Sequence, residues 1–289
     1  MPFATTGDIE TYYEDGRLEA SSPRRETPVA LIHGHSVGLR LWDPQVPALL
    51  DAGYRVVRYD VRGHGRSAAP PTGYSWEHYL ADLRALLDHL RLERVHLAGI
   101  SMGGAIALQF VLEEPGRVAS LALLDSALPG FTYSPEFEDG VERLRAAVRA
   151  EGPRVALERI WLAHPIFDGV RRHPEAFAAL RRMVLDYPAA DYLDEAEYPP
   201  PERPAIDRLH EVQAPALVVV GELDLPDFRI IADILAENLS SARKLVVPDA
   251  GHLPNLERPE VVNAALLSFL DEAEGRKADR STDTERING

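Results

Sequence analysis

The chain has 289 residues, of which 45% are hydrophobic and 27% charged, as is typical of one large α/β domain or a domain with an insertion. Its 31 Lys and Arg residues and 46 Asp and Glu residues give a net charge of −15, which argues against nucleic acid or an anionic membrane as a partner. The sequence contains no cysteine, which excludes disulfides, thiolate zinc sites and cysteine nucleophiles.

The N-terminal residues 1–6 have neither the basic nor the apolar region of a signal peptide. No apolar stretch approaches the roughly 20 residues that span a bilayer. We therefore expect a cytoplasmic protein with no membrane partner, present as a monomer or a homodimer.

Short apolar segments alternate with helical patterns along most of the chain. The predicted strands are residues 9–13, 29–33, 55–60, 95–98, 119–124, 216–220 and 244–247. Apolar side chains at helical spacing predict helices at residues 76–92, 105–112 and 228–239. This order predicts an α/β fold with a mostly parallel sheet covered by helices on both faces. Ligand sites in such sheets lie beyond the carboxyl ends of the strands.

One region, from about Pro129 to Pro204, interrupts the alternation. It has no convincing strand pattern, and a proline-rich segment, residues 198–204, closes it. Helical patterns occur at residues 137–150, 154–163 and 174–185. We predict a helical cap inserted into the core, connected by a stiff linker. The alternative is that these helices simply cover the sheet.

These observations predict the domain boundaries. Residues 1–128 and 205–272 form the core, and residues 129–204 form the cap, with hinges near Pro129-Gly130 and at Pro199–Pro201. Residues 273–289 are polar and aperiodic, and we expect a disordered tail there.

The most informative motif is residues 99–103, G-I-S-M-G, which lead from a predicted strand into a predicted helix. A serine at such a turn can adopt a strained backbone that lifts its hydroxyl above the sheet. The flanking glycines avoid collisions, and the helix N-terminus presents free N–H groups to a developing negative charge. We predict that Ser101 is a catalytic nucleophile; the alternative is a glycine-flanked helix cap.

A serine hydroxyl needs a base to take its proton, and near neutral pH that base is usually a histidine. His252 follows the last predicted strand and stands beside a glycine in a loop that can place its imidazole near Ser101. We predict that His252 is the general base. By contrast, His78 and His89 lie on a predicted surface helix.

The base needs a carboxylate to orient it. Asp224 comes after the sixth predicted strand and precedes His252, which gives the chain order Ser, Asp, His. The alternatives are Asp125 at the end of the fifth strand, then Asp227, then Glu222. Asp227 is better explained as the N-cap of the helix that follows it.

An oxyanion hole requires two amides that point at the substrate carbonyl oxygen. We predict the backbone N–H groups of Met102 and His35, the latter in a loop after the second predicted strand. A metal pair of His33 and His35 is the alternative use of this loop, but no third ligand is apparent. We expect neither a metal nor a cofactor.

Five segments together resemble the α/β-hydrolase-fold serine hydrolases, and the likeness runs from Ile9 to about Leu270. They are His33-Gly34, residues 59–67, the turn at Ser101, residues 221–224 and Gly251-His252. The chain is similar to small carboxylesterases with a helical cap and to 3-oxoadipate enol-lactonases. Haloalkane dehalogenases and epoxide hydrolases of the same fold carry aspartate at the nucleophile position, so Ser101 argues against both.

The resemblance implies acyl transfer in two steps through Ser101, with His252 as the base and Asp224 as its partner. A small, moderately hydrophobic ester is the expected substrate, because the predicted cap is rich in apolar side chains. These are Trp161, Ile166, Phe167, Phe177 and Met183. A lactone is the alternative substrate; perhydrolysis, carbon–carbon bond hydrolysis and a ligand-receptor role are further alternatives.

Overall fold

The computed structural model describes residues 2–17, 25–196 and 201–275. Its strands are β1 (Phe3–Thr6), β2 (Ile9–Gly16), β3 (Val29–Ile32), β4 (Val56–Tyr59), β5 (Val95–Ile100), β6 (Val118–Leu124), β7 (Ala216–Gly221) and β8 (Ala242–Val247). They form one eight-stranded sheet in the order β1-β2-β4-β3-β5-β6-β7-β8. β2 pairs antiparallel with β1 and β4, and every pair from β4 to β8 is parallel. The predicted mostly parallel sheet is confirmed.

Eleven α-helices connect or follow the described strands. They are α1 (Val46–Asp51), α2 (Trp76–His89), α3 (Met102–Glu113), α4 (Pro135–Glu151), α5 (Pro153–Ala156), α6 (Asp168–Arg171), α7 (Pro174–Asp186), α8 (Ala190–Leu193), α9 (Pro226–Asn238), α10 (Pro254–Glu257) and α11 (Pro259–Ala273). α2 packs against α3, and α1 packs against α11. Every residue of β3, β5 and β7 is buried, as expected for parallel strands that are covered on both faces.

Helices α4 to α8 lie between β6 and β7, and we call residues 135–193 the helical segment. The described residues between these two strands contain no β-strand. The sequence predicts one continuous helix over 154–163, but the structure has the short α5 followed by a π-helical turn, Leu157–Trp161. The N–H of Leu162 bonds to the carbonyl of Leu157 (2.9 Å), which is the i to i+5 spacing of a π turn.

β1, α1 and α11 were not predicted from the sequence. Part of the predicted linker and its hinge (198–200) and most of the predicted tail (276–289) lie outside the described residues. The predicted start of that tail is different, because α11 continues to Ala273 and ends in a turn at Gly275. None of the described helices is both long enough and apolar enough to cross a membrane.

Candidate active site

Ser101 occupies the sharp turn between β5 and α3. Its φ of 53° and ψ of −119° are unusual for a residue with a side chain, at a cost of about 1–3 kcal/mol. Three backbone hydrogen bonds hold it there: its N–H donates to Leu124 (3.0 Å), and its carbonyl accepts from Ala105 (3.1 Å) and Ala127 (3.0 Å). The backbone is therefore fixed by β6 and α3, whatever side chain stands at the turn.

The glycines on either side of Ser101 allow α3 to lie very close to the sheet. A Cβ atom at Gly103 would stand 2.2 Å from the carbonyl oxygen of Ile32 in β3, and one at Gly99 would stand 2.2 Å from the oxygen of Gly103. Both contacts are with backbone, which cannot move aside. Only glycine fits at these positions, and this close approach places the N-terminus of α3 at the end of β3.

His252 and Asp224 form a buried pair. Nδ1 of His252 donates to Oδ2 of Asp224 (2.9 Å), and the Asp224 side chain is fully buried. Oδ1 of Asp224 accepts from the N–H of Leu225 (2.7 Å). Because the carboxylate holds the imidazole proton on Nδ1, Nε2 is left as an acceptor, and it has no partner among the described residues.

The loop that carries His252 is held by Glu257, to which the sequence analysis assigned no role. The Glu257 carboxylate accepts from the N–H groups of Gly251 (2.7 Å) and Leu253 (3.1 Å), on both sides of the histidine. Burial raises the pKa of this carboxyl, against the effect of the two N–H groups. Its only sequence signal is an acidic residue five positions after His252, which is too common to be diagnostic.

The two predicted oxyanion donors lie on either side of Ser101. Met102 is the first residue of α3, and His35 follows Gly34, whose Cβ position is 3.3 Å from the Cβ of Ser101. Within the described part of the chain, neither the N–H of Met102 nor that of His35 has an acceptor. Both amides are therefore free to bind an oxygen atom.

Two buried histidines hold the His35 loop in place. Nε2 of His33 accepts from the N–H of Val61 (2.9 Å), and Nε2 of His64 accepts from the N–H of Ser36 (3.1 Å). Burial lowers the pKa of His33 to about 3 and that of His64 to about 4, so both are neutral near pH 7. Nδ1 of His33 is also hydrogen-bonded, to the carbonyl of Gly34 (2.7 Å).

The same loop is bonded to the helical segment. Nε2 of His35 lies 2.9 Å from Oδ2 of Asp191 and 2.9 Å from the hydroxyl of Tyr187. Next to it, Oγ of Ser36 accepts from Nε1 of Trp161 (2.6 Å). Although burial acts in the opposite direction, the charge and hydrogen bond of His35 lower the pKa of Asp191. Two consecutive loop residues therefore depend on partners outside the core.

Ser101, His252, His35 and Met102 all line one cavity of about 270 Å³. Its described lining contains no Lys, Arg, Asp or Glu. Seven of the lining residues are aromatic: Trp76, Tyr133, Phe137, Trp161, Phe167, Tyr192 and Phe228.

The cap residues that the sequence analysis grouped together separate into two sets. Trp161, Ile166 and Phe167 line the cavity, as expected of a wall. Phe177 and Met183 do not; they lie on α7 and pack, half-buried, against the hydrophobic core.

Comparisons with known proteins identify the family of this chain. Residues 27–259 match the family model of the alpha/beta hydrolase fold. The chain belongs to the α/β-hydrolase family. RutD of Variovorax paradoxus (strain S110), for which a carbamate hydrolase activity is proposed, is 34% identical over 266 residues, which cover 87% of this chain and 94% of that protein.

Two solved structures of α/β hydrolases are also similar to this chain. A thermophilic esterase from Thermogutta terrifontis is 33% identical, with a TM-score of 0.76 over 93% of this chain and 96% of that one. The enol-lactonase from Burkholderia xenovorans LB400 is 28% identical, with a TM-score of 0.78 over 93% and 99%. The protein is thus a hydrolase.

The other candidate acids occupy different places in this α/β hydrolase. Glu222 is exposed and accepts from the N–H of Asp249 (3.1 Å). The prediction that Asp227 caps the following helix is wrong, because α9 begins one residue earlier, at Pro226. Asp227 instead accepts from the N–H (2.8 Å) and hydroxyl (2.7 Å) of Ser134, the residue that caps α4.

Asp125 is the acid that lies close to the His252–Asp224 pair. Among the described residues, one grouping has metal-ligand atoms within 4.8 Å of one another, and it consists of Asp125, Asp224 and His252. A cation there would have to displace the hydrogen bond between His252 and Asp224. We therefore interpret the group as proton-sharing side chains.

Proposed function

We propose that this α/β hydrolase cleaves small, uncharged carboxylic esters through an acyl-enzyme on Ser101. One observation carries the proposal: Ser101 and His252 line the same apolar cavity, and His252 is held by Asp224 with Nε2 left as an acceptor. A hydroxyl, an oriented imidazole and a buried carboxylate are the three parts that serine hydrolases use.

The proposed reaction has two steps. Nε2 of His252 takes the proton of Ser101 as Oγ attacks the ester carbonyl, and the N–H groups of Met102 and His35 bind the oxygen that becomes negative. The intermediate collapses to an acyl-enzyme, and His252 gives its proton to the departing alcohol. Water then attacks the acyl group by the same route, which releases the acid and regenerates Ser101. Asp224 stabilises the imidazolium that forms in each step.

The cavity lining supports a neutral substrate. A buried anion needs a cation or several donors to replace its water, and the described lining offers no Lys or Arg. The net charge of −15 also disfavours the approach of anions. Aromatic walls and a volume near the lower end of the range for ligand sites favour compact apolar groups.

We also propose that the inserted region, residues 129–204, acts as a cap. Trp161, Ile166 and Phe167 of the helical segment form part of the cavity wall, so a substrate that fills the cavity contacts both regions. Gly130, with a φ of 92°, offers a backbone suited to a hinge near the first end. Water exclusion under the cap would strengthen the interaction with the oxyanion.

A neutral lactone is the second candidate substrate. A lactone is a cyclic ester that requires the same attack and the same oxyanion donors, and the similarity to an enol-lactonase structure favours it. An enol-lactone of 3-oxoadipate keeps a free carboxylate, for which the described lining has no cation. Compact uncharged lactones therefore fit this cavity better.

The first experiment measures hydrolysis of p-nitrophenyl acetate and butyrate by the wild type, Ser101→Ala and Ser268→Ala. Ser268 is an exposed serine on α11 and serves as the matched control. We expect Ser101→Ala to lose a factor of about 10⁴ or more in kcat, with Ser268→Ala unchanged. Ordinary activity in Ser101→Ala would refute the assignment of the nucleophile, and inactivity of the wild type on a broad ester and lactone panel would refute the reaction class.

The second experiment tests substrate charge with two acetates of similar size, phenyl acetate and 4-carboxyphenyl acetate. We expect kcat/KM to be lower by about 100-fold for the charged ester, since its carboxylate would be buried without a partner. Equal values would show that the aryl group stays in solvent.

A further inference from the structure

Asp125 is a buried acid for which the proposed mechanism has no use. It follows β6, is fully buried and has a φ of 39°. Its N–H donates to the carbonyl of Val219 (2.8 Å), and its Oδ1 accepts from the N–H of Gly221 (2.8 Å). Both partners belong to β7, so Asp125 is fixed directly beneath the turn that leads to Asp224.

The carboxyl group of Asp125 lies close to that of Asp224, the proposed catalytic acid. No described residue donates to Oδ2 of Asp125, and carboxylate oxygens of Asp125 and Asp224 lie within 4.8 Å of each other. Two buried carboxyl groups in contact do not both ionise, because like charges at this distance repel strongly. One of the two must carry a proton.

The hydrogen bonds decide which carboxyl carries it. Asp224 already accepts from two donors, the N–H of Leu225 and Nδ1 of His252. Asp125 accepts from one, the N–H of Gly221. Burial, together with the charge of Asp224, raises the pKa of Asp125 well above its usual value.

We propose that Asp125 is a positioning residue whose protonated carboxyl donates a hydrogen bond from Oδ2 to the carboxylate of Asp224. This inference rests on the proposed function, in which Asp224 orients His252. With Asp125 in place, Asp224 has three donors: an amide, an imidazole and a carboxylic acid. The third donor fixes the rotation of the carboxylate and makes it a weaker base, so His252 holds an added proton less tightly.

Two substitutions separate this role from simple packing. Asp125→Asn keeps a donor toward Asp224 and an acceptor for Gly221 but cannot ionise. Asp125→Gly removes the donor while suiting the positive φ, so backbone strain does not confuse the comparison. The measurements are kcat/KM for p-nitrophenyl acetate between pH 5 and 9 and the midpoint of thermal unfolding.

We expect Asp125→Asn to keep the acid limb of the wild-type profile. Asp125→Gly should move that limb to higher pH by about 0.5 to 1 unit and lower kcat by about tenfold, because Asp224 becomes a stronger and less fixed base. If Asp125 only fills space, Asp125→Gly will unfold at lower temperature with the acid limb unmoved. If Asp125→Asn moves the limb as far as Asp125→Gly does, the residue acts as a carboxylate; either result overturns the inference.

Infrared difference spectroscopy supplies a readout that does not depend on activity. The spectrum of the wild type minus that of Asp125→Asn at pH 7 should contain the carbonyl stretch of a protonated carboxyl, and its absence would overturn the inference. The activity of Ser101→Ala distinguishes a failure of this inference from a failure of the proposed function. If that variant is inactive while the infrared band is missing, only the role of Asp125 fails; if it remains active, the proposed function and this inference fail together.

Discussion

The sheet core and the helical segment supply different chemistry to the same cavity. The core contributes the polar groups assigned to the reaction, at the ends of β5 and β7 and in the loops after β3 and β8, and buried hydrogen bonds hold these segments. The helical segment contributes mainly apolar and aromatic surface. Under the proposed function, we expect bond cleavage to depend mainly on the core and the choice of substrate mainly on the helical segment, so changes in the two should affect different kinetic parameters.

Few polar contacts join the two regions at the cavity. The His35 loop bonds to Asp191, Tyr187 and Trp161, and Asp227 of α9 bonds to the cap residue of α4. Substitutions that remove these hydrogen bonds should therefore show how far the core site depends on the helical segment.

The largest expected effect is the loss of kcat when Asp224, in the core site, is substituted. Asp227 lies three positions away, at the contact between α9 and the residue that caps α4, and serves as the comparison. Asp224→Asn should lower kcat for short esters by a factor of about 10³ to 10⁴, because an amide no longer holds the imidazole proton on Nδ1. Asp227→Asn keeps an acceptor for Ser134 and should lose less than about tenfold. Steady-state kinetics with p-nitrophenyl butyrate measures both. A larger loss in Asp227→Asn would mean that the acid was assigned to the wrong residue.

The second effect concerns the acid stability of the core loop that faces the helical segment. His33 and His64 have lowered pKa values in the folded protein, so the unfolded chain binds more protons below about pH 6.5. Stability should therefore fall with decreasing pH between about 6.5 and 4, with a slope that approaches about 1.4 kcal/mol per pH unit for each histidine near pH 5. Above pH 6.5 this contribution does not change.

Urea unfolding at several pH values measures that slope. His64→Gln should reduce it by the contribution of one histidine, whereas His210→Gln, at an exposed position, should leave it unchanged. A wild-type slope that survives in His64→Gln would show that another group controls acid stability.

The third effect comes from removing the hydrogen bond between the His35 loop and Asp191 of the helical segment. Asp191→Ala removes the half-buried acceptor of His35 and should lower kcat/KM by about tenfold to a hundredfold, since a charged hydrogen bond contributes about 1.5–3 kcal/mol. Asp186→Ala, at an exposed position near the end of α7, is the control. Wild-type kinetics in Asp191→Ala would mean that the loop holds its position without the helical segment.

The smallest effect should alter specificity alone. Ile166→Ala enlarges the cavity wall and should move the preferred acyl chain to longer esters, with about threefold loss on acetate. Val155→Ala, on the exposed side of α5, should leave the preference unchanged. The measurement is kcat/KM over a series of p-nitrophenyl esters from acetate to decanoate. If both variants share the wild-type maximum, the helical segment does not set the chain-length limit.

The sequence was most informative where the signal is local. Buried parallel strands are continuous apolar runs, and the turn at Ser101 needs its glycines within a few positions, so both could be predicted from short windows. The edge strand β1 and the short helix α1 have weak patterns, since one or two turns and a half-exposed edge require few apolar residues.

Contacts between distant residues could not be predicted in the same way. His35 and Asp191 are 156 positions apart, and nothing in either neighbourhood indicates the other. The contact between Asp227 and Ser134 was likewise not predicted. The local capping rule assigned Asp227 as the cap of α9, whereas Asp227 bonds to the residue that caps α4. Helical periodicity places Phe177 and Met183 on α7, but tertiary packing decides that they avoid the cavity.

The strained backbone at Ser101 lowers the stability of the folded protein at the position that the proposed activity requires. A glycine there would adopt the same φ without strain, so Ser101→Gly should gain about 1 kcal/mol of folding free energy while the proposed nucleophile is lost. A laboratory selection for thermal stability alone would therefore enrich inactive variants at this position. Any effort to make the protein more robust should screen for turnover in the same round, and should begin at surface positions far from the turn.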